Sequence, residues 1–439
     1  MKTTFTVAGG GRRRLIGWAW SGLSTTAAQA AVQCLGFIAG ILIVRYLAPR
    51  EYAFYTIATA GLGTMTVLTD SGIGSSVLAL GGGVYQDPVR LGAVLATGIR
   101  LRRRFSRIAL VLGVPLMITL LRRQGASWGE ATLVAVSVVP LFLSTVTAHL
   151  FEMVPRLHQT LTSLQLIQGA ANAGRLLLTA VLVPLWPIAP LASLVAALPQ
   201  WWANLRLRSM ADQRALWRRS ADAQVASRMT SQLRRTMPAA IYYALSGQLT
   251  VWLISLFGKA NSVAAIGALG RLAMALAILS AAFNAVAVPR FARIAAAEPG
   301  LARSRYLQAQ LALMAACLVP MLLLFCFPAA ALALLGASYG DLQHEVLLMG
   351  FSSCAATLCG AAYTLGAARG IVTPAAITIP YSIVGQALLV ALLPLNTVSG
   401  VIWVGLLSAL SQWLLHVLYF EWHYRQPPPK PICGANAVT

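Results

Sequence analysis

The chain has 439 residues, 58% of them hydrophobic and only 10% charged, with a net charge of +22 and a mean hydropathy of +0.73. A soluble protein carries about 25% charged residues to cover its surface, so this composition excludes a soluble fold and implies a membrane protein. The apolar residues fall in repeated segments of about 20, long enough to cross ~30 Å of hydrocarbon as helices, and no alternating strand pattern of a β-barrel accompanies them.

A charge of +22 in a soluble protein would suggest nucleic acid. Here the arginines lie between the apolar segments and no RNA- or DNA-binding motif is present, so no nucleic-acid partner is expected. The six cysteines, at 34, 317, 326, 354, 359 and 433, form no CxxC pair, and most fall inside apolar segments. They read as small apolar residues, with no disulfide framework, metal site or cofactor.

Residues 1–22 form a basic tail. Its "GGRRRLIGWAW", followed by "AQA" at 28–30, has the outline of a twin-arginine export signal. A retained first helix is the expectation, because eleven further spans must be inserted in any case. The spans then run approximately 23–47, 52–82, 106–121, 131–151, 161–182, 184–204, 238–258, 262–288, 307–335, 343–366, 372–393 and 399–420. Prolines in "VPLWPIAP" at 183–190 separate the fifth from the sixth.

With the N-terminal tail placed inside, 26 of the 33 lysines and arginines fall in inside segments, 5 in outside segments and 2 within spans. That asymmetry places both termini in the cytoplasm. Residues 205–237 form the longest inside segment, with arginines interleaved among Leu207, Trp217, Met229 and Leu233. They read as a basic interfacial linker lying on anionic membrane lipids, or as a site for a cytoplasmic partner. The linker divides the chain into an N-terminal lobe, 23–204, and a C-terminal lobe, 238–422, ahead of a tail at 423–439. Six spans is an even number, so both lobes enter from the same side. The fold class is therefore an all-α polytopic membrane protein of about 12 transmembrane helices in two six-helix lobes, related by a pseudo-two-fold axis along the membrane normal.

Polar residues inside spans point at a cavity or another helix. In the fifth span Gln165, Gln168, Asn172 and Arg175 share one face, at steps of 3, 4 and 3. Arg175 is near mid-span, where snorkelling to either surface is difficult. The stripe reads as the lining of a cavity, against the alternative of a helix–helix seam. In the second span Thr59, Gly63, Thr66 and Asp70 align. Asp70 has two compatible readings: a cap on a helix restarted after Ser71-Gly72, or a counter-ion to a membrane arginine or protonatable coupling group. Arg271 lies about one-third into the eighth span. Elsewhere Gln29, Gln33, Gly36 and Gly40 form a small, polar face suited to close packing, and Glu152 with Arg156 suggests an i, i+4 pair. The face of Ser408, Gln412 and His416 reads as buried packing.

The soluble-enzyme motifs fail. There is no Walker loop, HExxH or GxSxG, and the outside loops are too short for an external active site. No catalytic residues are assigned and no enzyme is expected.

The stretch "ILIVRYLAPREYAFYTIATAGLGTMTVLTDSGIGSSVLA" at 41–79 resembles the first helical hairpin of polysaccharide flippases in the multidrug/oligosaccharidyl-lipid/polysaccharide exporter superfamily. Asp70-Ser71-Gly72 matches that family's aspartate-x-glycine signature, while Ala53 stands where a glycine is usual. "AIGALGRLAMALAILSAAFNAVAVPRFARI" at 265–294 resembles its helix 8, with Arg271 and Pro289-Arg290 in familiar places. The seventh span, "QLTVWLIS" at 248–255, lacks the acidic residue often found there.

The resemblance implies two lobes around a central cavity, alternating access, and a substrate that is a glycan on a polyprenyl diphosphate, as in O-antigen or exopolysaccharide assembly. The setting would be the cell inner membrane, beside polysaccharide polymerase and chain-length machinery. Arg175 and Arg271 would bind the diphosphate, Gln165, Gln168 and Asn172 would contact sugar or phosphate, and Asp70 would orient an arginine or titrate. A multidrug cation antiporter of the same superfamily is the alternative, and a membrane glycan polymerase or ligase the competitor from another class.

Overall fold

The structure, a computed structural model, describes residues 29–70, 72–217, 223–292 and 299–425. The tail at 1–22, Ser71, Arg218, Arg219, Arg293 and the residues after 425 lie outside the described residues. All regular structure among the described residues is helical.

The N-terminal lobe comprises α1 (Gln29–Tyr46), α2 (Pro49–Asp70), α3 (Ile73–Gly82), α4 (Pro88–Arg123), α5 (Trp128–Phe151), α6 (Met153–Leu157), α7 (Leu161–Leu185) and α8 (Ala189–Arg214). The C-terminal lobe comprises α9 (Ala223–Ser246), α10 (Leu249–Phe257), α11 (Ala260–Ala273), α12 (Ala275–Ala292), α13 (Pro299–Cys326), α14 (Pro328–Leu335), α15 (Gln343–Ala367), α16 (Ala375–Leu392) and α17 (Val398–Arg425). The pairs α2–α3, α5–α6, α9–α10, α11–α12 and α13–α14 each run on with short interruptions. Twelve rods result, six in each lobe, joined by short connections. Eight described helical stretches are long and apolar enough to cross a membrane on their own; the rods of α2–α3, α9–α10 and α11–α12, which carry interruptions, and α8, which ends in arginines, make up the twelve.

Local chemistry sets the rod ends. Asp87 caps α4, accepting from the Val89 and Arg90 amides at 2.9 and 3.1 Å, with Pro88 at the first helical position. Ser127 and Glu130 form a reciprocal capping box at the start of α5. The turn expected from "VPLWPIAP" lies at 186–188, between α7 and α8. There the Ala189 amide donates to Glu51 Oε2 at 2.8 Å, so a carboxylate from α2 satisfies an orphan donor of α8.

The lobes meet mainly along α2, which packs on α9, α10 and α11. A Cβ on Gly267 of α11 would lie 2.2 Å from Thr56 Oγ1 of α2, so only glycine permits this approach. One apolar cluster, including Tyr52, Ile57, Leu253, Ile266 and Tyr339, joins both lobes. It lies toward the end of the bundle bearing the turns after Tyr46 and Phe257, called here the far end. Gln124 fastens that end by donating to the Ser255 and Gly258 carbonyls at 2.8 and 3.1 Å.

The basic end differs from expectation. Residues 205–237 do not form one separate interfacial helix. Arg206, Arg208 and Arg214 extend α8, while α9 begins at Ala223 and runs straight into the seventh span. Met229 and Leu233 are buried against Ile73, Leu91 and Leu207 of the first lobe rather than presented to lipid. The apolar face of this segment found a protein partner, which sequence periodicity does not distinguish from a membrane surface.

Candidate functional site

The second rod breaks where the sequence suggested. Gly72 adopts φ 94°, the left-handed region, and α3 restarts at Ile73. Asp70 Oδ1 accepts from the Gly74 amide at 3.3 Å, and the same carboxylate is ion-paired with Arg102 Nη2. The carboxylate thus lies between the amide of the restarted helix and a guanidinium of α4.

Its partner was missed in the sequence. Arg102 counted as a loop cation ahead of a span starting at 106, but α4 begins at Pro88 and carries Arg102 inside the lobe, 3% exposed. Arg102 Nη1 donates to the Val146 carbonyl at 2.6 Å. The available signal was the capping motif at Asp87-Pro88, which sets the helix start well before the apolar run.

Farther along the bundle, polar groups of three helices, α2, α7 and α11, converge beside the small face of α1. Arg175 Nη2 donates to the Tyr55 hydroxyl at 3.4 Å, and the Arg271 guanidinium lies 5.7 Å from the centre of the same ring. Tyr55 thus stands between an arginine of each lobe. Arg271 also lies beside the phenol of Tyr52 and packs over α1, its Cδ 3.2 Å from where a Cβ on Gly40 would sit. A larger residue at 40 would displace it. One turn away, Asn172 Oδ1 lies 3.4 Å from the equivalent position on Gly36. The small face of α1 therefore accommodates polar side chains of α7 and α11.

Arg175, Arg271, Asn172, Gln165, Gln168 and Asp70 are all half-buried. Among the described residues, neither Arg175 nor Arg271 has a carboxylate partner, and Arg175 Nε is buried without a hydrogen bond. Two cationic groups on opposing lobes with spare donors can take an oxyanion bearing several oxygens.

Gln168 is drawn into a different network. Its Nε2 donates to Glu152 Oε1 at 3.1 Å, and Glu152 also pairs with Arg156 at 3.1 Å, the i, i+4 contact expected. Asn172 Nδ2 donates to the Gln168 carbonyl at 2.9 Å. The stripe on α7 therefore divides: Arg175 and Asn172 face α1 and α2, and Gln168 reaches the end of α5. On the other interlobe face, the amide of Gln248, at the break between α9 and α10, approaches Gly63 of the α2 stripe; a Cβ there would be 3.0 Å away.

In the stripe of Ser408, Gln412 and His416, Ser408 and His416 are buried as expected, but the face also borders a void. With Tyr243, Tyr363 and Gln386 it lines a cavity of about 490 Å³ inside the second lobe. His416 Nδ1 also contacts Thr373 Oγ1 at 3.1 Å. Among the described residues, no Asp, Glu, Lys or Arg lines this cavity.

No protein-family model matches the chain, and no curated protein matches it in sequence. Solved structures do match. The lipid II flippase MurJ in an inward closed conformation shares 10% identity over 92% of this chain and 88% of its own, with a TM-score of 0.71. An inward-facing multidrug resistance MATE family transporter of the MOP superfamily shares 12% identity over 89% and 94%, with a TM-score of 0.62. A MOP superfamily transporter from Pyrococcus furiosus, described as having a binding pocket of reverse polarity, shares 10% over 92% and 94%, with a TM-score of 0.58. The chain is a multi-pass membrane protein with the two-lobe, all-α fold of MOP superfamily transporters. These neighbours are described as transporters and flippases.

Proposed function

We propose that this protein is an inner-membrane flippase that moves glycans carried on a polyprenyl diphosphate by alternating access between lobes 23–204 and 238–422. The observation that carries the reading is the pair Arg175 and Arg271, one from each lobe, both at Tyr55 and, among the described residues, both without a carboxylate partner. A diphosphate entering between the lobes receives guanidinium donors from both walls, and its charge offsets their desolvation. Asn172 and Gln165 lie along the same helix for sugar or phosphate oxygens, and Gln168 contributes through its link to Asn172. The lipid tail stays in the bilayer while the head group crosses. Both termini are cytoplasmic in this reading, and polysaccharide polymerase and chain-length proteins are its expected partners in lipopolysaccharide or exopolysaccharide assembly.

The multidrug alternative requires an acidic site for organic cations. The carboxylate of Asp70 is already neutralised by Arg102, which weakens that reading. The fold shared with a lipid II flippase supports a lipid-linked substrate.

The test is complementation of a flippase-deficient strain. Arg175→Ala abolishes surface glycan while the protein still inserts, and Arg175→Lys restores part of it. Full activity of Arg175→Ala overturns the diphosphate site.

A further inference from the structure

A second basic site lies away from the interlobe groups. Arg102, Arg103 and Arg107 of α4 and Arg208 of α8 line a pocket of about 350 Å³, walled by Leu110 and Leu143. It faces the outer side of the first lobe, where α4 and α5 expose Ile108, Val111, Leu112 and Leu143. Among the described residues, no carboxylate lines it. Asp70, which does not line the pocket, pairs with Arg102 Nη2, and Arg102 Nε is buried with no hydrogen bond. The Arg208 guanidinium lies 5.3 Å from the ring centre of Trp217, which in turn packs on Phe151 at 5.3 Å. The aromatic pair holds Arg208 at the mouth of the pocket.

Arg102 is balanced by Asp70, but the guanidinium groups of Arg103, Arg107 and Arg208 around one pocket repel one another unless an anion joins them. Depth identifies the kind of anion. Arg103 and Arg122 on α4 are separated by 19 residues, about 28 Å of helix at 1.5 Å per residue. That matches the ~30 Å hydrocarbon thickness, so with Arg122 and Arg123 at one interface, Arg103 falls at the headgroup level of the other and Arg107 about one turn deeper, within reach of that level by its long side chain. Leu110 and Leu143 then lie one to two turns deeper, along the path of acyl chains.

We infer that this pocket is a binding site for the phosphate of an anionic bilayer phospholipid, held by Arg103, Arg107 and Arg208 with Arg102 at its floor. Arg102 connects the two faces of the lobe: one side of its guanidinium holds Asp70 at the break in the second rod, the other reaches the lipid phosphate. Occupancy of the pocket thereby steadies the helix break from the membrane side. The inference stands without the transport reading, since it uses none of the residues assigned to the diphosphate.

The experiment measures thermal unfolding of the full-length protein in detergent with added phosphatidylglycerol, phosphatidylcholine of the same chains, or inorganic phosphate and diphosphate. Phosphatidylglycerol raises the melting temperature by several degrees; phosphatidylcholine and the free anions leave it unmoved. Arg103→Gln with Arg107→Gln weakens the phosphatidylglycerol response at least tenfold in lipid concentration, whereas Arg305→Gln, the same charge removed from the other lobe, leaves it intact. Should the double variant fold poorly without added lipid, Arg208→Gln serves in its place. Equal responses of pocket variants and parent, equal effects of the two lipids, or a response to phosphate alone would each overturn the site.

Discussion

Asp70 and Arg102 form an ion pair across the break in the second rod, with the arginine side chain 4% exposed and the carboxylate 41% exposed. The two ends of the pair are not equivalent. Asp70 has access to water, but Arg102 depends on it.

The asymmetry predicts unequal mutants. Removing one partner of a buried pair costs about 3–5 kcal/mol. Here the partial exposure of Asp70 reduces that for Asp70→Asn to about 2 kcal/mol, with Arg102 left buried and unpaired. Arg102→Leu, which leaves a carboxylate that reaches solvent, is expected to cost less. The double variant is expected to match Arg102→Leu. Thermal melting of all four proteins closes the cycle, and a coupling below about 0.5 kcal/mol means the sites act independently.

At the interlobe site, Arg175→Ala and Arg271→Ala each remove charge-assisted hydrogen bonds, worth about 1.5–3 kcal/mol apiece, so each variant should lose tenfold or more in transport. Tyr55→Phe keeps the ring under Arg271 and removes the phenol oxygen that both Arg175 and Arg271 approach. Its loss is therefore smaller, about two- to fivefold, as fits a long neutral acceptor contact. Initial rates of surface glycan appearance in the complemented strain distinguish the three.

The approach of α2 and α11 predicts that Gly267→Ala separates the lobes at the far end. The added methyl meets Thr56 at 2.2 Å, and overpacking of this kind costs about 1–3 kcal/mol. A cysteine at Thr59, in a background without native cysteines, should then label faster from the far side. Thr56→Ala removes the two nearest atoms and is expected to reverse part of the effect; unchanged labelling in Gly267→Ala would show that this contact does not seal the bundle.

Gln124→Leu tests the same seal by a different route. The substitution deletes the bonds to Ser255 and Gly258 and costs about 1–3 kcal/mol of the far-end closed state. Faster labelling at position 59 without loss of insertion is the expected result. A drop in overall melting temperature with no change in labelling would assign Gln124 to folding of the first lobe instead.

Much of the architecture was legible along the chain. Apolar length marked the rods, proline at 184 and 187 separated α7 from α8, and Ser71-Gly72 marked the break that Gly72 makes with its positive φ. The spacing of Asn172 and Arg175 put them on one face of α7, and the small residues Gly36 and Gly40 were recognisable as a close-packing surface. Arg102 was not recognised, because an arginine in a basic stretch has the same local signature whether it faces water or a carboxylate 32 positions earlier. Met229 and Leu233 posed the same difficulty, since an amphipathic face does not state whether its partner is lipid or protein. The stripe from Ser408 to His416 showed a shared face but not the cavity beside it.

The sequence by itself determined the solvent, the helical class, the number of rods and their polar faces, because hydropathy and periodicity act within a single segment and need no neighbour. Only the tertiary structure decided which polar groups meet: Asp70 with Arg102, Gln168 with Glu152, Arg175 and Arg271 with Tyr55. Pairing depends on how rods rotate and approach one another. That is governed by contacts such as Gly267 on Thr56 and Gly40 beneath Arg271, where a single absent side chain sets the distance between helices far apart in the chain.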